Sequence, residues 1–341
     1  MDGKAGEDER AKAGCDVSVS ERDHSLSSTR PLVPPLVVDR SATLFSMPEL
    51  PDVTLYVEHL ARRVVGEQIE KIRILGLNLL RTFEPPPEAA EGRRVRDVRR
   101  MGKRIVVGLE GDLFLVLHLM IAGRLRWKER GAALQRKVGL AAFDFPRGTL
   151  VLTEAATKKR ASLTIVEGEA AVRALDPGGL EPLEMTVDEL QAAITRESHT
   201  LKRALTDPHI LSGIGNAYSD EILHRARLSP LALSGKLARE EVARLWEAIR
   251  AVLIEWTERL RAQFGEDFPE KVTAFRLEMA VHGKYKKPCP VCGSPVQRIV
   301  YADNETNYCA RCQTGGRLLA DRSLSRLLKA DWPKMLEELE A

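Results

Sequence analysis

Apolar positions recur along this chain at two different periods, and the changes of period divide it. Val53, Val57, Leu60 and Val64 are spaced by three and four, which predicts a helix over 53–65 with Asp52 as its cap. From about Ile69 to Glu167 the period shortens to two. The stretch RIVVGLEGDLFLVLHL holds two apolar runs joined by Glu110-Gly111-Asp112, a hairpin signal. LAAFDFPRGTLVLT repeats the device around Pro146-Arg147-Gly148. Several such runs in succession predict an antiparallel sandwich or barrel.

The character changes near Asp176-Pro177-Gly178-Gly179. The next hundred residues carry helical spacing, with helices expected over 187–196, 200–207, 216–227 and 238–263. From Lys271 the pattern is non-helical again. A last amphipathic helix is expected over 321–339, its stripe formed by Leu324, Leu327, Leu328, Trp332, Leu336 and Leu339, and its best use is packing on the core. The first 46 residues keep no period. They are rich in Asp, Glu, Lys, Arg and Ser, with three prolines between positions 31 and 35, and read as a disordered leader.

Composition adds limits. With 341 residues and 44% hydrophobic content the chain can bury two or three domain cores. The net charge of +3 is too small to name a partner. Its distribution says more, because Lys and Arg cluster at 93–104, 158–160 and 284–287. No apolar run is long enough to span a membrane and no signal-peptide pattern is present. A cytoplasmic, nucleoid-associated monomer is expected.

Four of the five cysteines form the strongest chemical signal. Cys289-x2-Cys292 and Cys309-x2-Cys312 are separated by sixteen residues. Each pair can bend two thiolates onto one tetrahedral cation, and two pairs complete a four-sulfur shell. The expectation is one structural Zn2+ in a two-stranded ribbon, rather than free thiols or a redox pair. No coordination position is left open for catalysis. Cys15 is assigned nothing. Lys284, Lys286, Lys287, Arg298, Arg311 and Arg317 make the ribbon's surroundings basic, which suits either a phosphodiester backbone or a solvated loop.

A second signal lies in ILSGIGNAYSDEILHRARLSP, residues 210–230. Gly213-x-Gly215-Asn216 precedes a helix. Glycines admit close backbone approach, and a helix N-terminus offers N–H groups suited to a phosphate. A plain interhelical turn with Asn216 as cap is the commoner use of such a stretch.

Pro48-Glu49-Leu50-Pro51, Gly213-Ile214-Gly215-Asn216-Ala217-Tyr218 and the ribbon ending in Cys312-Gln313 occur in this order. Together they resemble the formamidopyrimidine-DNA glycosylase / endonuclease VIII family of base-excision repair enzymes, over about residues 47–315. The resemblance implies an α+β multidomain fold: a β-sandwich with a leading helix, a helix–two-turn–helix domain and a zinc ribbon. The corresponding bounds are a leader at 1–46, then 47–175, 176–270, 271–315, and a terminal helix at 316–341.

By that resemblance, Pro48 is the nucleophile, attacking C1′ of a damaged nucleotide through an iminium. Glu49 is the adjacent acid/base group. Lys103 contacts phosphate near the lesion, Asn216 holds backbone phosphate, and Glu221 is a supporting carboxylate. The partner is damaged double-stranded DNA with a flipped-out nucleotide. The implied activity is a bifunctional glycosylase and abasic-site lyase.

Three positions depart from the family pattern. Asn304 stands where the ribbon tip usually has an arginine, so a bidentate charged clamp is replaced by an amide flanked by Asp303 and Glu305. Ile121 stands for a methionine, and Lys158, Lys159 and Arg160 stand where an arginine and a phenylalanine are usual. Charge replaces stacking there. A lesion other than 8-oxoguanine, an abasic site, or a distorted or single-stranded substrate fits at least as well. Two other function classes follow from the same residues: a non-catalytic damaged-DNA or abasic-site binding protein of the same fold, and a zinc-ribbon transcription or RNA factor, against which Pro48-Glu49 argues.

One feature conflicts with the implied chemistry. An internal proline nitrogen is a tertiary amide whose lone pair is tied up in resonance. Only a free N-terminal Pro48 could form an iminium. The expectation is that translation begins at Met47, that Met47 is removed, and that the 46-residue leader is no part of the mature protein.

Overall fold

The structure, a computed structural model, describes residues 47–270, 272, 276–301, 304–320 and 333–340. The expected leader lies outside the described residues, as does 321–332, most of the expected terminal helix.

Helix α1 (Leu50–Val64) begins earlier than the apolar spacing indicated. Glu49, in extended conformation, occupies the cap position, and Pro51 sits in the first turn where its missing N–H costs nothing. Asp52 is therefore inside the helix rather than its cap. Its carboxylate accepts the Glu49 backbone N–H at 3.0 Å, closing the first turn from within. The helix serves two cores. Val53, Leu60 and Val64 belong to the sandwich core, while Leu50 belongs to the core of the helical domain.

The alternating segment folds into two four-stranded antiparallel sheets. One contains β1 (Lys71–Ile74), β5 (Gly123–Lys128), β6 (Gly139–Phe145) and β7 (Gly148–Glu154), in the order β1-β6-β7-β5. The other runs β2 (Val95–Met101), β3 (Arg104–Leu109), β4 (Leu113–His118), β8 (Ser162–Glu167). The choice left open by the pattern, sandwich or barrel, resolves to a sandwich. Ile105, Val107, Leu115 and Leu117 face Phe143, Phe145, Leu150 and Leu152 across the interior. The intervening residues Val106, Phe114 and Val116 point the other way, toward Met101 and Val172 of α2 (Glu169–Ala174). That division is the period of two made physical. At the β3–β4 turn, Gly111 and Asp112 both take positive φ, as a tight hairpin requires.

The helical region holds α3 (Val187–Thr195), α4 (Leu201–Thr206), α5 (Asn216–Ala226) and α6 (Arg239–Phe264), each within a residue or so of its expected bounds. Thr186 and Glu189 cap α3 reciprocally. Leu190, Leu205, Ile222, Leu245, Ile249 and Leu253 fill the core between these helices. The long α6, about 39 Å by its rise per residue, continues into the sandwich, where Leu260 joins the first core. Phe268, just beyond it, packs beside Tyr56 and Trp127.

The ribbon comprises β9 (Gln297–Tyr301) paired antiparallel with β10 (Asn304–Tyr308), followed by α7 (Ala310–Thr314). The tail returns across it: Leu318 N–H donates to the Lys334 carbonyl and Leu336 N–H to the Gly316 carbonyl, each at 2.8 Å. Leu336 is buried against Tyr308, Leu318 and Leu319, so this part of the expected stripe does pack on a core. It does so in a non-helical stretch. The described helix there, α8, is only Glu337–Glu340.

Candidate functional site

The N-terminus of α5 is where α1, α4, the β2–β3 turn and the ribbon meet. The Glu49 carboxylate accepts backbone N–H bonds from Gly215 at 2.7 Å, Ala217 at 2.8 Å and Tyr218 at 3.2 Å. Leu50 N–H donates to the Gly213 carbonyl at 2.9 Å, fixing the approach. The helix end was a candidate phosphate cradle; these three donors are instead occupied by a side chain of the same chain. The electrostatics that would draw a phosphate there draw this carboxylate.

Gly215 makes the approach possible. A Cβ there would lie 2.5 Å from the Glu49 carboxyl carbon and 2.6 Å from one oxygen. Its backbone is extended and strain-free for any residue, so the demand is one of space alone. Pro48 is buried beside this arrangement.

Lys103 projects from the two-residue turn Gly102-Lys103 between β2 and β3, with Gly102 at φ +59°. Burial holds its ammonium below the usual lysine range, with Glu49 opposing that shift and Lys202 adding to it. The three charges thus form one electrostatic group. The turn is anchored by Arg100, which donates to the Gly102 carbonyl at 2.9 Å and pairs with Glu181. Glu181 also accepts from Ser212 at 2.6 Å, tying the turn to the glycine segment.

Several members of the site carried no sequence signal for a role there. Lys202 of α4 donates to the Asn216 carbonyl at 2.7 Å and the Asp220 carboxylate at 2.5 Å. His118, at the end of β4, is held down to about 4 by burial and by the neighbouring Arg104 and Lys103 charges, so it is neutral at pH 7. Asp52 pairs with Arg276 at 3.2 Å, both buried, across 224 residues of sequence. Burial pushes the Asp52 carboxyl up to about 6, with the Arg276 guanidinium pulling the other way.

The other expected residues fall into two groups. Asn216 and Glu221 lie on α5 and bind the ribbon domain rather than solvent. Asn216 is the first helical residue, not the cap, and its side-chain amide donates to the Glu305 carbonyl at 2.8 Å. Glu221 accepts from the backbone N–H groups of Ala280, Val281 and His282 at 2.8, 2.9 and 3.0 Å. Burial raises its carboxyl, and these three donors oppose the shift.

Lys158, Lys159 and Arg160 lie in the β7–β8 connection. Its end is pinned by the buried Glu154 carboxylate, which accepts from Arg160 N–H at 2.9 Å and Ala161 N–H at 3.1 Å. Lys158 and Arg160 are exposed. Lys159 is turned inward onto the carbonyls of Glu154 and Lys137, so two of the three cations present themselves outward. Ile121 is 37% exposed, next to Met120 at φ +54°. Asn304 begins β10, but its side chain lies outside the described residues, as does Asp303.

The four sulfurs of Cys289, Cys292, Cys309 and Cys312 lie within 4.8 Å of one another. A tetrahedral zinc–thiolate shell requires sulfur separations of about 3.8 Å. Cys289 and Cys312 are 3.9 Å apart, and Cys292 and Cys309 are 3.4 Å apart. The set fits one structural zinc ion. Lys286, Lys287, Arg298, Arg311 and Arg317, in the same stretch of chain, are exposed, and Arg298 stacks over the Tyr285 ring at 4.3 Å. No helix among the described residues is long and apolar enough to cross a membrane.

Three family models match the chain in order. They are the formamidopyrimidine-DNA glycosylase N-terminal domain over residues 47–160, the H2TH domain of that glycosylase over 178–262, and the zinc finger found in FPG and IleRS over 286–315. The formamidopyrimidine-DNA glycosylase of Variovorax paradoxus is 33% identical over 277 residues, covering 78% of this chain and all of that one. An uncharacterized formamidopyrimidine-DNA glycosylase-like protein of Mycobacterium tuberculosis is 40% identical over 162 residues, 48% of this chain and 99% of that one. Among solved structures, a Lactococcus lactis FPG mutant in complex with Fapy-dG-containing DNA superposes with a TM-score of 0.69 at 23% identity, covering 78% of this chain and 100% of that one.

Proposed function

This chain belongs to the formamidopyrimidine-DNA glycosylase family, and from that premise we propose that it excises damaged bases from DNA and cleaves the resulting abasic site through Pro48. The observation that carries the reading is the Glu49 carboxylate, seated on the α5 N-terminus directly after Pro48 and within electrostatic reach of Lys103. A nucleophile needs a proton acceptor beside it, and the site supplies one in a fixed position.

The proposed steps balance as follows. The Pro48 amine attacks C1′, and the bond from C1′ to the base breaks, the base leaving with the bonding electron pair and taking a proton from water. Glu49 takes the amine proton and returns it to the ring oxygen as the sugar opens to an iminium. A C2′ proton then passes to water as the 3′ phosphate leaves by β-elimination; a C4′ proton passes to water as the 5′ phosphate leaves by δ-elimination, and water hydrolyses the iminium to release the proline. Lys103, His118 and the exposed Lys158 and Arg160 are proposed to hold phosphates about the lesion. Asn216 and Asn304 are proposed to act where the ribbon meets the backbone. The zinc ion, bound by four thiolates, supplies folding of the ribbon and no step.

The amine must be free. The reading therefore requires a polypeptide whose first residue is Pro48. Borohydride reduction of such a protein with abasic-site DNA should trap a covalent adduct, and intact mass of the cellular protein should match a start at Pro48. Absence of an adduct with correctly processed protein sinks the proposal.

A second reading is favoured by the exposed cations in place of stacking residues: a damage-binding protein without turnover. It predicts that lesion binding survives Pro48→Gly while neither protein cleaves DNA.

A further inference from the structure

Helix α5 does more than present its N-terminus to Glu49. One turn beyond Glu221 it carries His224, which is buried with only 7% of its surface exposed. The Nε2 of His224 lies 3.3 Å from the Sγ of Cys289, 65 positions away in sequence. A metal-bound thiolate carries no proton and can only accept, so this contact requires the tautomer with hydrogen on Nε2. Cys289 is the most enclosed of its C-x-x-C pair, and Gly293 N–H donates to its carbonyl at 2.9 Å.

We propose that His224 is a positioning residue of the zinc site, donating Nε2–H to the Cys289 thiolate and so making α5 part of the metal's support. Ligand-orienting groups outside the coordinating atoms commonly fix ligand geometry and lower the charge density on a donor sulfur. The surrounding contacts give the bond a wider meaning. Asp220 accepts from Asn307 N–H at 3.1 Å and faces His282 at 2.8 Å, and just past the end of α5 the Leu228 carbonyl accepts from Gln313 at 2.9 Å. With Glu221 on residues 280–282, one helix grips the ribbon on both sides of its metal, and the same helix holds Glu49. Metal occupancy is thereby registered on the element that seats the candidate acid/base group. The inference does not depend on the glycosylase reading.

The test uses the full chain, with Co2+ replacing zinc as a spectroscopic probe. His224→Phe removes the donor at similar volume, and His224→Gln restores an N–H. Loss of the bond should move the thiolate-to-cobalt charge-transfer band to lower energy, and should speed zinc release to a chromophoric chelator by about 10- to 100-fold. His224→Gln should recover most of both. An unshifted band and an unchanged release rate in folded His224→Phe would overturn the proposal. Should that variant not fold, long-range 1H–15N spectra of the unaltered zinc protein decide the matter. A slowly exchanging His224 Nε2–H supports the donor role, and an imidazole protonated on Nδ1 alone refutes it.

Discussion

A single methyl group at Gly215 tests the centre of the site. In Gly215→Ala the new Cβ would stand 2.5 Å from the Glu49 carboxyl carbon, where ordinary contact begins at 3.4 Å, so the carboxylate must retreat by about 0.9 Å. The backbone there is extended and accepts alanine without strain, and the three atoms nearest the new Cβ all belong to Glu49. Moving the carboxylate breaks or lengthens its bonds to Gly215, Ala217 and Tyr218. Hydrogen bonds to a charged group contribute about 1.5–3 kcal/mol each. With one or two effectively lost and partly replaced by water, the expected destabilisation is about 2–4 kcal/mol. A catalytic group displaced by about 1 Å costs about 100-fold in rate.

The assay is urea unfolding together with single-turnover borohydride trapping on abasic-site DNA, using protein that begins at Pro48. The control is the same substitution in a Glu49→Ala background, where the new methyl meets no carboxylate. There the stability cost of Gly215→Ala should fall by well over the roughly 0.5 kcal/mol within which independent sites add. An equal cost in both backgrounds would refute the coupling, and wild-type trapping by Gly215→Ala would refute the role given to the Glu49 position.

Three further outcomes are expected. His118, depressed to about 4 in the folded protein, contributes stability that is present above pH 6.5 and lost as pH falls toward 4, by at most about 3 kcal/mol; unfolding free energies of the wild type and His118→Gln should diverge across that window, and parallel curves would show that the imidazole does not carry the dependence. Glu221→Ala leaves the N–H groups of residues 280–282 without their acceptor and should cost about 2–4 kcal/mol, with faster hydrogen exchange at those three amides; unchanged exchange contradicts the docking role. Zinc removal or Cys289→Ser should weaken DNA binding at least about 10-fold, because four-thiolate sites couple metal to folding; undiminished affinity would detach the ribbon from the DNA interface.

Period and turn chemistry alone were enough for the strands of the sandwich and for the four helices α3 to α6. The alternation of 104–119 produced β3 and β4, the helical spacing after 187 produced α3 to α6, and the tandem C-x-x-C pairs converge on one cation geometry. Each is a local property, readable in a window of a few residues, because strand pleat, helix pitch and the reach of a cysteine knuckle are local. The start of α1 escaped this reading since Asp52 looks like a cap by type, while Glu49 holds the cap position and Asp52 accepts the Glu49 N–H from inside the first turn.

Partnership among charges was decided only by the tertiary structure. Glu49 meets Gly215 across 166 residues, and Asp52 meets Arg276 across 224. In sequence, Glu221 is marked by resemblance alone and Lys202 is one cation among many; only the packing of α4, α5 and the ribbon turns the first into an acceptor for three backbone donors and the second into a link between Asn216 and Asp220. The physical reason is that a buried charge must find a partner wherever the folded chain supplies one. A hydrophobic pattern states which residues go inside and leaves unstated which of them will meet.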